Sequence, residues 1–344
     1  MSNSSFSARD GAIVVTSIAA PNPVLRSLAE GAARCGLPFI VTGDTKSPAE
    51  FELDGCRYYG IAAQEATGLE YAALCPTRSY TRKNIAYLLA IREGVDWIAE
   101  TDDDNFPRES FWEQRVRETS GDLTSAPSHP AWCNVYTRFS KKFVYPRGFP
   151  IELLHEAEPE WTVQEWSGAA PIQQGLADDN PDVDAIYRML YPLPLVFDKR
   201  RPLVLDHGVW CPFNSQNTTF FREAFPLLYL PAHCSFRMTD IWRSYVAQRV
   251  MIECGWRLMF HEATVWQERN AHNLLRDFED EIPGYLNNRR IVETLSALTL
   301  QPGVEAMGEN LTACYQALVD LGVVGAAEMP LLAAWLQDLR NFAV

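Results

Sequence analysis

The sequence is short of basic residues and of long hydrophobic runs. Lys and Arg number 30 against 44 Asp and Glu, so the formal net charge is −14. A surface of that sign repels a phosphate backbone, and nucleic acid is therefore not an expected partner. The longest apolar stretches, such as residues 12–15 and 227–232, fall far below the roughly 18 residues that span a bilayer. The N-terminal sequence MSNSSFSARDG lacks the basic and apolar regions of a signal peptide, which predicts a cytoplasmic protein without a transmembrane segment.

Closely spaced cysteine pairs are also absent. The chain has 8 cysteines and no CxxC pair. Zinc sites need closely spaced ligand pairs, and disulfide frameworks are typical of short secreted chains. We therefore expect scattered, buried free thiols, which behave as small hydrophobic residues.

The first hundred residues alternate between strand and helix patterns. With 344 residues and about 150 per domain, the chain could form two domains or one large α/β domain with an appendage. Residues 11–18 (GAIVVTSI) predict a strand, and the following segment, with apolar residues at helical spacing, predicts a helix that Gly36 ends. PFIVTGD predicts a second strand, residues 82–94 a further helix, and VDWIAET a third strand. This alternation favours a parallel, doubly wound sheet with right-handed crossovers.

In such sheets, ligands bind beyond the carboxyl ends of the strands. The polar residues in those places are Thr16 and Ser17, then Asp44, then residues 102–105. We expect the functional site where these residues meet.

The second half has weaker patterns. Residues 121–215 are rich in Pro, Trp, Asp and Gly and predict long ordered loops, which are often binding surfaces. Residues 239–254 predict a helix capped by Thr239 or Asp240 that ends at Gly255, and RLMFHEATVW predicts a strand. The last forty residues predict two amphipathic helices separated by GVVGAAEMP.

Four acidic residues lie close together at the end of the third predicted strand: Glu100, Asp102, Asp103 and Asp104. Carboxylates this close repel one another unless they are well hydrated or share a cation. A solvated loop is the alternative interpretation of any such run. The position at a strand end favours an all-oxygen site for Mg²⁺ or Mn²⁺, completed by water and phosphate oxygens.

A hydrophobic strand that ends in Asp-x-Asp resembles the signature of GT-A-fold glycosyltransferases. The surrounding segments are more specific, and together they resemble the STELLO-type glycosyltransferase-like family and, more distantly, the reversibly glycosylated polypeptides that act as UDP-arabinopyranose mutases. These segments are VVTSI, VTGDTKSP, SYTRKNIAYLLAI, ETDDDNFP, YPRGFP, QQGLADDNPDVDAIYR, LYLP, DIWRSYVAQR and QERNAHNLLRDFEDE. The resemblance runs from about residue 12 to 286 and leaves the C-terminal helices outside it.

The resemblance implies an α/β GT-A fold with a mostly parallel central sheet. It implies a nucleotide-sugar-binding catalytic domain over residues 1–290 and a C-terminal helical extension over residues 291–344. The extension is also a candidate homodimer interface.

The resemblance also implies how a nucleotide-sugar donor would be held. Asp44 would accept a hydrogen bond from the nucleobase imide, and Arg82 and Lys83 would face the donor phosphates. An exposed helix start is the alternative for that basic pair. The other implied donor contacts are Thr16, Ser17, Lys46, Asp102, Asp103, Asp182 and Asp184.

For the metal, the resemblance implies Mn²⁺ or Mg²⁺ held by Asp104 and Asp102. His272 is a candidate C-terminal ligand, His261 competes with it, and the aligned histidine of the mutases falls near Gln267. A histidine that is simply hydrogen-bonded is the alternative for either residue.

Two further residues are candidates for the chemistry. Asp240, at the start of a predicted helix, could act as general base on the acceptor hydroxyl, or it could simply interact with the helix dipole. Arg147 matches the arginine that the mutases glycosylate, but an arginine that keeps its proton favours a charge clamp on the diphosphate.

The function that the resemblance implies is metal-dependent transfer of a hexosyl or pentosyl group from a UDP-linked donor. The acceptor would be a glycan, a lipid-linked sugar or a small molecule. The alternatives are a nucleotide-sugar mutase or self-glycosylating protein, and a non-catalytic scaffold of GT-A type.

Overall fold

A large mixed sheet forms the centre of the protein. The structure is a computed structural model that describes residues 10–156, 159–268 and 273–342. The strands are β1 (Gly11–Thr16), β2 (Phe39–Thr42), β3 (Arg57–Tyr59), β4 (Trp97–Thr101), β5 (Asn105–Pro107), β6 (Glu118–Ser125), β7 (Ala131–Trp132), β8 (Thr162–Ala169), β9 (Ile172–Asp178), β10 (Leu203–Leu205), β11 (Val209–Trp210), β12 (Asn217–Phe221) and β13 (Leu258–Gln267).

Some helices connect the strands of this sheet, and others follow the last strand along the chain. They are α1 (Pro23–Cys35), α2 (Ile61–Glu65), α3 (Glu70–Leu74), α4 (Lys83–Arg92), α5 (Tyr136–Phe139), α6 (Ala185–Leu190), α7 (Thr239–Glu253), α8 (Leu274–Ser296), α9 (Met307–Asp320) and α10 (Glu328–Asn341). Short 3-10 helices lie between them, including Tyr80–Arg82 and Phe236–Met238.

The main sheet has the order β3-β2-β1-β4-β12-β9-β13-β10-β6-β8, with β5 paired to β13. The first four strands run parallel, β12 runs antiparallel to both its neighbours, and β9 and β13 are parallel to each other. The predicted class, α/β with a mostly parallel central sheet and C-terminal helices, is confirmed. The arrangement is consistent with a glycosyltransferase fold.

The elements predicted in the first hundred residues are present because their signals are local. Asn22 caps α1 by accepting a hydrogen bond from the Leu25 backbone N–H at 2.8 Å, and Pro23 occupies the first turn. Gly36 ends the helix with φ of 69°, a left-handed conformation that suits glycine.

The sequence predicted long loops over residues 121–215, and more than half of these residues do lie outside helices and strands, but the segment also contains strands that were not predicted. This segment includes most of β6 and all of β8 and β9, and β9 is buried along its whole length between β12 and β13. The polar side chains of β9 make it hard to recognise as a buried strand from the sequence. Gln173 and Gln174 are buried, and their amide groups donate to backbone carbonyls at 2.7–3.2 Å, so β9 shows neither alternation nor a hydrophobic run.

Helix α7 was predicted almost to its ends, but its start differs from the prediction. Met238 is the N-cap residue and makes no side-chain capping bond, whereas Thr239 and Asp240 lie inside the first turn. The carboxylate of Asp240 is thereby available to other partners.

The C-terminal helices share one hydrophobic core with α4 and α7. Trp335 of α10 packs against Tyr71 and Tyr229, and Asp338 accepts hydrogen bonds from the backbone N–H groups of Glu70 and Tyr71 at 3.0 and 2.9 Å. The predicted domain boundary after residue 290 falls inside α8. Because the apolar faces of α9 and α10 pack on their own chain, a homodimer through these helices stays a prediction.

The eight cysteines are all free thiols, as expected, but only four of them are fully buried. Among the residues that the structure describes, no helix is both long enough and apolar enough to cross a membrane.

Candidate active site

A cavity of about 450 Å³ opens at the carboxyl ends of β1, β2 and β4. Thr16 and Ser17 end β1, Asp44 follows β2, and residues 102–104 follow β4, so the sheet brings these residues together as expected. The start of α7 and residues 147 and 182 complete the wall. The predicted site residues that line the cavity are Thr16, Ser17, Asp44, Lys46, Asp102, Asp103, Asp104, Arg147, Asp182 and Asp240.

The acidic turn contains three of the four predicted carboxylates. Glu100 lies within β4 and is fully buried, where its carboxylate pairs with Arg243 at 2.7 Å. Asp103 accepts a hydrogen bond from the Ser17 hydroxyl, and its backbone carbonyl accepts one from the Asn22 amide at 2.8 Å. Burial raises the pKa of Asp103, an effect that the Ser17 hydrogen bond opposes.

Asp102 forms an ion pair with a buried cation, Lys83. Its Oδ1 accepts a hydrogen bond from the Tyr80 hydroxyl at 2.7 Å and one from the Lys83 ammonium at 3.0 Å. Lys83 is fully buried and also donates to the carbonyls of Thr101 and Ser215. The expectation that Lys83 faces the donor phosphates is therefore corrected: it lies beneath Asp102 and balances that charge.

Asp104 contacts Gln267, the residue near which the resemblance placed the histidine of the mutases. Gln267 donates from its amide to Asp104 Oδ2 at 3.0 Å, and both residues line the cavity. The candidate ligand His272 lies outside the described residues. His261 does not line the cavity, and burial lowers its pKa to about 4, with Arg115 acting in the same direction.

The side chains at the acidic turn include the residues predicted to bind the metal ion. Within residues 10–156, 159–268 and 273–342, no group of three or more His, Cys, Asp and Glu side chains has the arrangement of a metal site. Mg²⁺ is commonly bound by one or two carboxylates together with substrate phosphates and water. Asp102 and Asp104 are two such carboxylates in one cavity, and the Gln267 amide donates to one oxygen of Asp104.

Arg147, on another part of the cavity wall, binds two carboxylates at once. Its Nε and Nη2 donate to Asp182 at 2.7 and 2.9 Å, and Nη2 also donates to both oxygens of Asp240 at 3.1 and 3.0 Å. Burial alone would raise the pKa of Asp240, but the Arg147 guanidinium outweighs it and holds that pKa below its ordinary value of 3.8. Asp240 is therefore an ionised carboxylate at neutral pH.

A chain of hydrogen bonds connects Asp240 to the acidic turn. Asp240 Oδ2 accepts from the Ser215 backbone N–H at 3.2 Å, and the Ser215 hydroxyl lies 2.5 Å from the Tyr80 hydroxyl. Burial raises the pKa of Tyr80 well above its ordinary value, and the nearby Asp102 charge raises it further. Tyr80 thus stays protonated and donates a hydrogen bond to Asp102.

Asp44 is occupied by backbone groups. Its Oδ1 accepts from the N–H groups of Thr45 and Arg78 at 2.6 and 2.8 Å, and Oδ2 accepts from that of Ser79 at 2.8 Å. Burial acts to raise the pKa of Asp44, yet these hydrogen bonds hold it below the ordinary value. The same bonds fix Arg78, whose φ of 56° is uncommon for a residue other than glycine and costs on the order of 1 kcal/mol.

Two other predicted donor contacts lie away from the cavity. Arg82 is buried and donates to Gln64 and to the carbonyls of Cys75 and Pro76 at 2.7–3.2 Å, because the 3-10 turn directs it toward α2 and α3. Asp184 is the N-cap of α6, where it accepts from the Tyr187 N–H at 2.7 Å. Both predictions of a donor contact are corrected by this geometry.

A family model for STELLO glycosyltransferases matches residues 237–344. The chain is similar to two proteins of Arabidopsis thaliana: probable glycosyltransferase STELLO2, with 27% identity over 88% of this chain, and probable glycosyltransferase STELLO1, with 28% identity over 95% of it. These matches support a STELLO-type family.

The chain spans less than half the length of the curated relatives, 41% of STELLO2 and 44% of STELLO1. The STELLO family model reaches residue 344, the end of the chain. The expectation that the C-terminal helices lie outside the family resemblance was therefore wrong. Their shared core with α7 agrees with this, since α7 places Asp240 in the cavity.

Several residues of the site were not predicted from the sequence. Tyr80 lies within the quoted segment SYTRKN, so a signal for it existed. Ser215 is the last residue of the segment predicted as loops, just before β12, and had no signal. The other cavity residues not predicted as contacts are Ile18, Arg78, Ser79, Arg188, Gln216, Phe236, Arg237 and Gln267.

Proposed function

We propose that this chain is a metal-dependent glycosyltransferase that transfers a sugar from a UDP-linked donor to a separate acceptor. One observation carries the proposal: a single cavity at the strand ends contains the acidic turn Asp102–Asp104 and, through Tyr80 and Ser215, the ionised carboxylate of Asp240. The names of the relatives, both probable glycosyltransferases, support the same class.

Each part of the site has a role in this proposal. Asp102 and Asp104 would hold Mn²⁺ or Mg²⁺, which acts as a Lewis acid that stabilises the departing nucleoside diphosphate. Asp240 would accept the proton of the acceptor hydroxyl, because it is ionised and lines the cavity. Lys83 and Tyr80 orient Asp102 from below.

The position of Arg147 favours transfer to a separate acceptor over self-glycosylation. A nucleophilic arginine must lose its proton, and two carboxylates flank this one. Burial acts against the charge, but Asp182 and Asp240 outweigh it and raise the pKa of Arg147 well above its ordinary value. Arg147 therefore acts as a fixed charge that aligns Asp240. A hexosyl or pentosyl group and a glycan, lipid-linked or small acceptor all remain within the proposal.

A thermal-shift panel of UDP and UDP-sugars, with Mn²⁺ or with a chelator, tests donor binding. A ligand at about 100 times its dissociation constant stabilises the native state by about 2.7 kcal/mol. We expect the midpoint to rise with UDP and Mn²⁺ in the wild type and in the exposed control Asp54→Ala, and not in Asp104→Ala. Equal shifts with chelator would show that the metal is not needed, and no shift with any nucleotide would reject the proposal.

Intact-mass spectrometry and measurement of nucleoside diphosphate release then separate the alternatives. Transfer to an added acceptor leaves the mass of the protein unchanged. A sugar adduct on Arg147 would instead favour the mutase, and nucleotide binding without turnover across an acceptor panel would favour the scaffold.

A further inference from the structure

The three cations predicted to contact the donor phosphates are all committed inside the protein. Arg82 binds Gln64 and two backbone carbonyls, Lys83 binds Asp102, and Arg147 binds Asp182 and Asp240. Each is at most 6% exposed. A diphosphate in this cavity would need other positive charges to offset its own.

Four other cations line the cavity, and two of them are engaged as well. Arg188 donates to Asn180 and to the carbonyls of Pro181 and Val183, and Arg237 pairs with the buried carboxylate of Glu281 at 2.9 Å. The other two are Lys46 and Arg78, which are exposed. Neither has an ion-pair partner among the residues that the structure describes.

Asp44 organises both of these cations. Its carboxylate binds the backbone of Thr45, next to Lys46, and the backbone N–H groups of Arg78 and Ser79. Arg78 keeps its left-handed conformation because these bonds hold it there. One buried carboxylate therefore ties together two loops, each of which brings a cation to the cavity wall.

These loops also adjoin the acidic turn. The Ser47 hydroxyl donates to the Ser17 carbonyl at 3.0 Å, and the Ser17 hydroxyl donates to Asp103. Lys46 is thus next in the chain to Ser47, and Ser47 contacts Ser17, the residue whose hydroxyl binds the acidic turn. Lys46 and Arg78 line the same cavity as Asp102 and Asp104, so a diphosphate bound there through a cation would share the cavity with both basic residues.

We propose that Lys46 and Arg78 form the diphosphate-binding site of the donor, and that Asp44 is a positioning residue for it rather than a contact of the nucleobase. The ligand class is a nucleoside diphosphate or its sugar ester. This inference rests on the proposed function, because it assigns residues to the donor of the same reaction.

Titration calorimetry of UDP, UMP and uridine in the presence of Mg²⁺ tests the assignment. We expect Lys46→Met and Arg78→Met each to weaken UDP binding about tenfold, since each removes a hydrogen bond to a charged group, and to leave uridine binding unchanged. The exposed Lys199→Met is the matched control and should bind UDP like the wild type. Arg78→Lys keeps the charge without the fork and should show intermediate affinity.

The outcomes separate this inference from the proposed function. A wild-type protein that does not bind UDP contradicts the proposed function itself. If the wild type binds UDP and the Lys46 and Arg78 variants bind it as tightly as Lys199→Met, the assignment of the two cations is overturned.

The role of Asp44 has its own readout. Asp44→Asn should weaken UDP binding, because the amide cannot accept from all three N–H groups, while uridine binding stays as in the wild type. An equal loss for uridine and UDP would make Asp44 a nucleobase contact and refute the positioning role.

Discussion

Replacing Arg147 with Met removes the charge that holds two buried carboxylates together. The side chains of Asp182 and Asp240 are only 12% and 10% exposed, and Arg147 donates four hydrogen bonds of 2.7–3.1 Å to them. Met has a similar length and no charge, so the variant leaves both carboxylates without this partner. Removing one member of a buried ion pair typically costs 3–5 kcal/mol, and we expect a loss of about that size in the free energy of unfolding.

The loss should depend on pH, with a sign that follows from Asp240. In the wild type, Arg147 holds the pKa of Asp240 below 3.8, so its contribution to stability is complete above that pH and is lost only as the pH falls through the lowered pKa. In the variant, burial is left to dominate and raises this pKa. The folded state then binds the proton more tightly than the unfolded state, so the stability of the variant falls as the pH rises. We expect a larger difference from the wild type at pH 8 than at pH 5.

Urea unfolding followed by tryptophan fluorescence at the two pH values measures this difference. The matched control is Arg276→Met, since Arg276 is 65% exposed and pairs with Glu279 and Asp280 on the surface of α8. Exposed pairs of this kind are worth less than about 1 kcal/mol. If Arg147→Met loses no more stability than Arg276→Met, or loses equal amounts at pH 5 and pH 8, the interpretation of the Arg147 network is wrong.

Three further changes test other parts of the structure. Asp240→Asn should abolish transfer but retain UDP binding, because the amide keeps the shape and cannot take a proton; a variant with the wild-type turnover would rule Asp240 out as the base. Burial, with the nearby Glu281 charge, raises the pKa of Asp184 to about 6, so the stability of the wild type falls as the pH rises from 3.8 to about 6. Asp184→Asn, which can still cap α6, should therefore raise the free energy of unfolding at pH 8 by up to about 3 kcal/mol and have little effect at pH 3, and equal effects at both would contradict this. Asp338→Ala leaves two backbone N–H groups of α3 unpaired and should lower the free energy of unfolding in urea by about 1–3 kcal/mol. An unchanged free energy of unfolding would show that α10 docks without these two bonds.

Several features of the protein followed from short stretches of sequence. The Asn22 cap, Gly36 and the spacing of apolar residues between them predict α1, because helix signals act within a few residues. The place of Asp44 and Asp102 at one edge also followed, since parallel strands bring their carboxyl ends together. Seven of the ten predicted contacts that line the cavity end or follow β1, β2 or β4 for this reason, whereas Arg147, Asp182 and Asp240 come from other parts of the chain.

The tertiary structure alone decided which charges face that cavity. Glu100 and Asp102 are two residues apart, yet Glu100 is buried against Arg243, 143 residues away, while Asp102 lines the cavity. Arg82 and Lys83 are adjacent and basic, and both point into the protein, where oxygens of other segments accept their hydrogen bonds. The central strand β9 was not predicted because Gln174 finds partners in Asn217 and Thr218 only once β12 lies beside it. A local pattern can show that a charge or an amide is present, but a group in a low-dielectric interior is stable only with a partner, and that partner is brought by the fold.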